Sequence, residues 1–272
     1  GGLNEYGLAA YKMCDERAAR EVRFILGIGG ISVKTGQILG AGLSLRVLRR
    51  EFDAVFLGLG HNDVNRLGLE GEDADGVYNA VEYIARIRQE DLASLPVGRR
   101  VVVIGGGNTA IDIAVQIKKL GAEYVTLAYR RGKADMGATD YEQEVAQNNG
   151  VLIKNWASPC RFVTDDEGIS AVTFEYTCKD ADGRLSYTGE FLTLEADQVF
   201  KAIGQKFNPE VLGDDDQPGI ENGRIRVDEE RRTSLGGVWA GGDCVAGRDL
   251  TVVAVQDGKL AAESINREIM GK

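Results

Sequence analysis

The chain has 272 residues, 43% of them hydrophobic and 27% charged, enough to bury one large core or two ordinary ones. A net charge of −10 with no long basic run argues against nucleic acid as a partner. No apolar run approaches the roughly 20 residues that span a bilayer, and the N-terminus has no signal-peptide pattern, so no membrane partner and a cytoplasmic location are expected.

Asp15 to Leu26 reads as an amphipathic helix, with Ala18, Val22, Ile25 and Leu26 near helical spacing and Gly27 as its stop. Ile31 to Lys34 reads as a short strand, Leu45 to Arg50 as a helix, and Ala54 to Leu59 as a buried strand running into Gly60. Helical spacing returns through Val77, Val81, Ile84 and Ile87, and ends before Leu95-Pro96, where proline discourages continuation. Arg100 to Ile104 is a strand. Asn108 to Leu120 is a helix with Ile111, Ala114, Ile117 and Leu120 along one side, and Tyr124 to Tyr129 is the next strand. Strand, glycine turn, helix and strand within about 30 residues make one βαβ unit. From Val151 to Phe200 the pattern changes to strands such as Ala171 to Tyr176 and Gln198 to Ala202, separated by Asp/Gly turns. Arg224 to Val227 and Gly237 to Ala240 continue it, and Val252 to Ile269 closes the chain as a helix.

The strongest chemical signal is Gly105-Gly106-Gly107-Asn108-Thr109-Ala110, a GxGxxA between a strand and a helix. In such a turn Gly105 permits the tight bend, Gly107 lets the backbone approach a pyrophosphate, and small Ala110 lets helix and strand pack closely. The free N–H groups and positive dipole end of the helix favour phosphates. About 20 positions on, where an acidic residue would accept hydrogen bonds from the ribose of NAD, stand Arg130 and Arg131. Two guanidiniums suit a 2′-phosphate, which favours NADP over NAD; a solvated basic turn is the competing reading. Gly27-Ile28-Gly29-Gly30 resembles a second glycine loop but follows a helix and precedes a strand, so it reads as a helix cap.

Gly237-Val238-Trp239-Ala240-Gly241-Gly242-Asp243 leads into the last helix, where Asp243 could accept hydrogen bonds from a polyol. By spacing alone this is a turn before a helix. Cys14, Cys160, Cys178 and Cys244 form no CxxC pair, so neither zinc nor a dithiol centre is signalled, and reduced thiols are expected. His61 is the only histidine and reads as a surface or turn residue, so neither a catalytic side chain nor a metal site is assigned.

Taken in order, these segments resemble the flavin oxidoreductases with two dinucleotide-binding domains, the branch of the glutamate synthase small subunit and the flavin-bearing part of dihydropyrimidine dehydrogenase. The likeness rests on Gly1-Gly2 with Tyr6-Gly7, Phe52 to Val55, Val103 to Asp112, Tyr129-Arg130-Arg131, Ala196-Asp197, Ala202 to Gln205, and Ala240 to Asp243. The resemblance implies an α/β chain with a Rossmann-like NAD(P)-binding domain (67–205) inserted in an incomplete FAD-binding domain (1–66 and 206–272), of three-layer type. It further implies that Gly105, Gly106, Gly107, Asn108, Thr109, Ala110, Arg130 and Arg131 hold NADP or NAD. Gly242, Asp243 and Thr251 would lie against FAD, and Gly60 and Gly204 would mark the crossings between domains. NADPH would reduce FAD, and electrons would pass to an iron–sulfur or catalytic partner subunit, with alignment rather than acid–base residues as the protein's contribution.

Asn4 to Lys12 and Val238 to Cys244 look more like the dihydropyrimidine dehydrogenase type, with the glutamate synthase small subunit as the alternative. Met136-Gly137-Ala138 departs from the Met-Pro-Ala frequent in the family. The family's first flavin-binding βαβ unit has no counterpart in this sequence, so the chain is expected to be an N-terminally truncated, inactive fragment that binds the nicotinamide donor. A non-catalytic dinucleotide-binding module is a second reading, and a thioredoxin-reductase-like dithiol enzyme is disfavoured by the missing CxxC.

Overall fold

In the computed structural model, which describes residues 2–14, 16–213 and 216–271, the chain forms two units: Gly1–Gly27 with Arg66–Gly204, and Ile28–Asn65 with Gln205–Lys272. Gly1 of the Gly1-Gly2 pair and Asp15, the expected start of the helix ending at Leu26, lie outside the described residues.

The first unit is organised by the alternation in Arg100–Ile104. Val101 and Val103 face one side of a sheet, Val102 and Ile104 the other, and all four are at most 3% exposed. Such a strand is apolar at successive positions because it is covered on both faces, as the centre of a parallel sheet must be. The sheet runs Val77–Asn79, Gln198–Lys201, Arg100–Ile104, Tyr124–Tyr129, Val151–Asn155, all parallel.

On one face lie the helices Ala80–Gln89, Asn108–Lys119 and Asp140–Asn148, whose Tyr83, Ile84, Ile111, Ile117 and Ala146 share a core with Val101 and Val103. On the other lies a three-stranded antiparallel sheet of Ala157–Asp165, Gly168–Lys179 and Leu185–Glu195. Its Phe162, Val172 and Phe174 meet Val102, Ile104 and Val199 in a second core. Helices, parallel sheet and antiparallel sheet make three layers, the α/β architecture expected.

The N-terminal stretch clusters with this unit, whereas the resemblance had grouped residues 1–66 with the last segment. The reason is a set of polar anchors. Arg88 donates to the carbonyls of Glu5 (2.9 Å) and Met13 (2.8 Å), and Gln116 accepts from the Ala10 N–H (3.2 Å). Lys12 Nζ bridges Asp112 (2.5 Å) and Glu142 (2.8 Å), and the Tyr11 hydroxyl donates to Asp112 (3.2 Å). The helix Arg17–Leu26 ends at Gly27, so the cap reading of that glycine cluster holds.

Three local expectations differ from the structure. Val77–Asn79 is an edge strand paired with Val199–Lys201, and the helix begins at Ala80 after an extended Asn79, so helical spacing assigned Val77 to the wrong element. Ile31–Lys34 pairs with nothing among the described residues and leaves Ile31 and Val33 exposed, whereas Ile38–Leu39 and Gly42–Leu43 form the short local pair. The helix Asp140–Asn148 went unassigned although Thr139 caps it, accepting from the Glu142 N–H at 3.3 Å, a T-x-x-E pattern that marks helix starts.

The second unit pairs Val55–Leu57 with Val238–Ala240 in parallel and covers a core of Leu45, Leu57, Phe207, Leu212, Ile225 and Val245. The helix Thr251–Met270 packs on this strand pair, and its Ser264 accepts a hydrogen bond from Trp239 Nε1 (3.1 Å). Asp63–Val64 and Gln205–Lys206, at the two chain crossings, pair antiparallel. Among the described residues no helix is long and apolar enough to cross a membrane.

Candidate functional site

The glycine turn leaves the C-terminal end of Arg100–Ile104, and each of its three glycines has a different reason to lack a side chain. Gly105 donates its N–H to the Ala128 carbonyl (3.0 Å) and sits at φ +148°, where a Cβ would lie 2.2 Å from the Ala202 carbonyl oxygen. Gly106 lies on the Tyr129 ring, and a Cβ there would come within 2.4 Å of Cδ2. Gly107 is extended (φ −96°, ψ 178°) and has nothing within 4 Å of its Cβ position. The first two glycines are needed for folding, whereas the third faces open space at the N-terminus of the helix Asn108–Lys119.

No side chain caps that helix end, so its dipole and first N–H groups are presented outward. Asn108 is exposed, Thr109 half-buried and Ala110 fully buried against the sheet. The Ala138 N–H donates to the Gly106 carbonyl (2.9 Å), which places the Met136-Gly137-Ala138 departure directly on this turn.

Arg130 and Arg131 follow the neighbouring strand, in register with the one that ends in the glycine turn. Arg130 is exposed and Arg131 half-buried, and neither guanidinium makes a hydrogen bond or an ion pair among the described residues. Their backbone, by contrast, is held. Thr177 Oγ1 donates to the Arg130 carbonyl (2.8 Å) and the Trp156 N–H to the Arg131 carbonyl (3.1 Å). Asp135 accepts from the Gly132 N–H (3.2 Å) and pairs with Lys179 (2.7 Å); Lys179, with help from Gly132 and Arg131, holds its carboxyl below the usual carboxylate range. Gly204 closes the unit at φ +97°.

In the second unit, Gly242 has φ +75° and donates its N–H to Asp257 (2.9 Å). Asp243 is half-buried with no hydrogen-bond partner among the described residues; burial and the nearby Asp249 push its carboxyl up, against His61 and Arg224. Thr251 is exposed and opens the helix Thr251–Met270. His61 is not the surface side chain expected. Its side chain is only 7% exposed and turned inward, with Nε2 unpartnered and 4.0 Å from an Asp249 oxygen.

The structure thus brings the Gly105–Ala110 turn and the arginine pair to one edge of one sheet, and Gly242, Asp243 and Thr251 to one end of the other unit. Sequence reasoning names Tyr129 beside the arginine pair but not Trp156 and Thr177, which with it seat the turn and the arginines. It also passed over Asp257, 2% exposed, whose carboxylate takes both the Gly242 N–H and the Arg231 guanidinium. An acid amid the apolar stretch of the last helix was the available signal for Asp257. For Thr177 there was none, because it reaches Arg130 from 47 positions away.

A parallel sheet with this turn at its C-terminal edge defines a dinucleotide-binding protein, and the comparisons give the family. Residues 7–258 match the pyridine nucleotide-disulphide oxidoreductase family, and the chain belongs to it. Within it, the similarity runs to flavin oxidoreductases of the glutamate synthase small-subunit type. The chain is 34% identical to "Glutamate synthase [NADPH] small chain" of Escherichia coli (strain K12), over 97% of this chain and 60% of that protein. It is 32% identical to "NADP(+)-dependent formate dehydrogenase subunit beta" of Moorella thermoacetica, over 98% of this chain and 39% of that one. The chain therefore spans between two fifths and three fifths of these relatives' lengths. Among solved structures, Mycobacterium tuberculosis FprA in complex with NADPH matches with a TM-score of 0.74 at 16% identity, over 99% of this chain and 75% of that one, a likeness of fold. These relatives support the glutamate synthase alternative over the dihydropyrimidine dehydrogenase type that Asn4–Lys12 and Val238–Cys244 suggested.

Proposed function

We propose that this chain is the NADPH-binding part of a flavin-dependent electron-input subunit of the glutamate synthase small-chain type, feeding an iron–sulfur or catalytic partner. The observation that carries this reading is the pairing of an open Gly107 at a helix N-terminus with two guanidiniums on the adjacent strand end that make no hydrogen bond or ion pair among the described residues. Gly105, Gly106, Gly107, Asn108, Thr109 and Ala110 receive the pyrophosphate, and Arg130 and Arg131 grip the 2′-phosphate that distinguishes NADPH from NADH. A purely solvated basic turn would not need both arginine carbonyls fixed, one of them from the antiparallel sheet.

The residues of the second unit fit a polyhydroxylated flavin nucleotide. Asp243 is a half-buried carboxylate without a hydrogen-bond donor among the described residues, suited to ribityl hydroxyls, and Gly242 and Thr251 flank it. When bound, the nicotinamide supplies a hydride and the flavin accepts it; the chain's residues orient the two cofactors and exchange no proton of their own. The domain assignment follows: 67–205 for NAD(P), with 1–66 and 206–272 contributing to the flavin side, except that residues 2–27 are anchored on the nicotinamide unit.

The test is titration of the purified chain with NADPH and NADH by fluorescence, repeated with Arg130→Ala/Arg131→Ala. Hydrogen bonds to charged groups contribute about 1.5–3 kcal/mol each, so the double variant loses about 3 kcal/mol or more, over a hundredfold in NADPH affinity, with little change for NADH. Equal binding of both nucleotides by the wild-type chain, or no binding of either, refutes the proposal.

A further inference from the structure

The arginine pair is held in part from outside the parallel sheet. The Arg130 carbonyl accepts from Thr177 Oγ1 (2.8 Å) of the antiparallel sheet, and the Arg131 carbonyl from the N–H of Trp156 (3.1 Å), the residue that joins Val151–Asn155 of the parallel sheet to Ala157–Asp165 of the antiparallel one. These two residues are themselves joined, the Thr177 N–H donating to the Trp156 carbonyl at 3.0 Å. Thr177 is 4% exposed and sits beside a register shift in which extra residues loop out of Leu185–Glu195 opposite it, and its hydroxyl faces the arginine turn.

Trp156 adopts φ +60°, a conformation that costs a bulky side chain energy and persists only where surroundings impose it. Its ring fills the place of the side chain Gly132 lacks: a Cβ on Gly132 would lie 2.7 Å from Trp156 Cζ2. On the far side of the turn, Asp135 accepts from the Gly132 N–H and is pinned by Lys179 from the same antiparallel sheet. Backbone fixed at three successive residues, with both guanidiniums unpaired among the described residues, describes a turn built to aim two charges at a ligand. A turn serving only the fold would neutralise them or let them move.

We infer that Thr177, with Trp156, is a positioning residue that sets the preference for a 2′-phosphorylated nucleotide by fixing the backbone of Arg130 and Arg131. This rests on the proposal that the arginine pair grips the 2′-phosphate. The antiparallel layer, which contributes nothing to the glycine turn, then acts as the selectivity support of the nucleotide site. Thr177 touches no ligand itself; it acts through Arg130.

The experiment compares the wild-type chain with Thr177→Val, Thr177→Ser and Gly132→Ala, each titrated with NADPH, NADH, 2′,5′-ADP and 5′-AMP, alongside a thermal melt. Thr177→Val keeps the branched shape and removes the hydroxyl. It weakens NADPH and 2′,5′-ADP about tenfold while NADH and 5′-AMP stay within about twofold, the loss expected when one anchoring hydrogen bond goes. Thr177→Ser restores the hydroxyl and the preference. Gly132→Ala, which pushes the turn off the Trp156 ring, lowers the same ratio from an independent site, so the inference stays testable even if Thr177→Val fails to fold.

Equal weakening of phosphorylated and unphosphorylated nucleotides, or an unchanged ratio in both Thr177→Val and Gly132→Ala, overturns the inference and leaves Thr177 as a packing residue. If instead the wild-type chain shows no preference, or loses none on Arg130→Ala/Arg131→Ala, the arginine reading itself fails and the inference falls with it.

Discussion

Replacing each glycine of the Gly105–Gly107 turn by alanine separates folding from binding within three consecutive residues. At Gly105 the new Cβ would lie 2.2 Å from a backbone oxygen, at a φ of +148° that L side chains rarely adopt, and neither atom can move without breaking the sheet. Strain and overpacking together put that cost at about 3 kcal/mol or more. At Gly106 the obstacle is the Tyr129 ring, which can shift, so about 2 kcal/mol is expected. At Gly107 the backbone is already extended and the Cβ meets nothing within 4 Å. Alanine there should cost about 1 kcal/mol at most, the difference between glycine and alanine at a helix N-cap, well below the cost at Gly105.

Yet Gly107→Ala places a methyl at the proposed approach of the pyrophosphate, and NADPH affinity should fall by more than about tenfold. Urea unfolding followed by Trp156 fluorescence in a Trp239→Phe background reports the first unit alone, and nucleotide titration reports binding. A Gly107→Ala chain that binds NADPH as tightly as the wild type would show that the turn is structural throughout. One as unstable as Gly105→Ala would show that the open space above Gly107 is not open.

Lys201 and Glu72 form a buried pair at 3.0 Å, and Glu72 also accepts from the Leu67 (2.9 Å) and Gly68 (2.7 Å) N–H groups, so Lys201→Met should cost about 3–5 kcal/mol in urea unfolding. Burial alone would raise the Glu72 pKa, but Leu67, Lys201 and Gly68 outweigh it and hold the carboxyl below its ordinary value. Its contribution is therefore present above about pH 4.3 and lost as pH falls through the depressed value; acid unfolding that is unchanged by Glu72→Gln would contradict this. At the other extreme, burial opposes the charge of Lys12, but Asp112 and Glu142 prevail and raise its pKa, while burial and Asp112 push the Tyr11 phenol up. Groups raised on folding stabilise below their unfolded pKa and lose that contribution as pH rises, so melting temperature should drop above about pH 10, less so in Tyr11→Phe.

The βαβ unit was legible because three signals coincide there: an apolar run covered on both faces, glycines at fixed offsets, and a helical stripe of Ile111, Ala114 and Ile117. Where only one signal spoke, the reading slipped. Val77 fits a helical period with Val81 and Ile84, but pairing with Val199 decides its conformation, and that partner is remote in sequence. Ile31 and Val33 look like a strand until one asks what they pair with. The arginine pair was visible as residue types, whereas its support was not, since Thr177 reaches it from beside a register shift and Trp156 from a left-handed conformation.

The antiparallel pairing of Asp63–Val64 with Gln205–Lys206 has a consequence for the order of events during synthesis. The strand Val55–Leu57 leaves the ribosome long before its partner Val238–Ala240, and the Cys244 thiol that meets the Leu57 carbonyl lies 187 residues further on. Until then Val55–Leu57 lacks the parallel neighbour that it has in the folded chain. The first unit, whose residues are all synthesised by Gly204, can fold in the meantime. Its folding shortens the loop to be closed from a long flexible chain to two adjacent ends, lowering the entropic cost of the pairing that completes the second unit. The first unit is thereby a folding template for the unit that it interrupts.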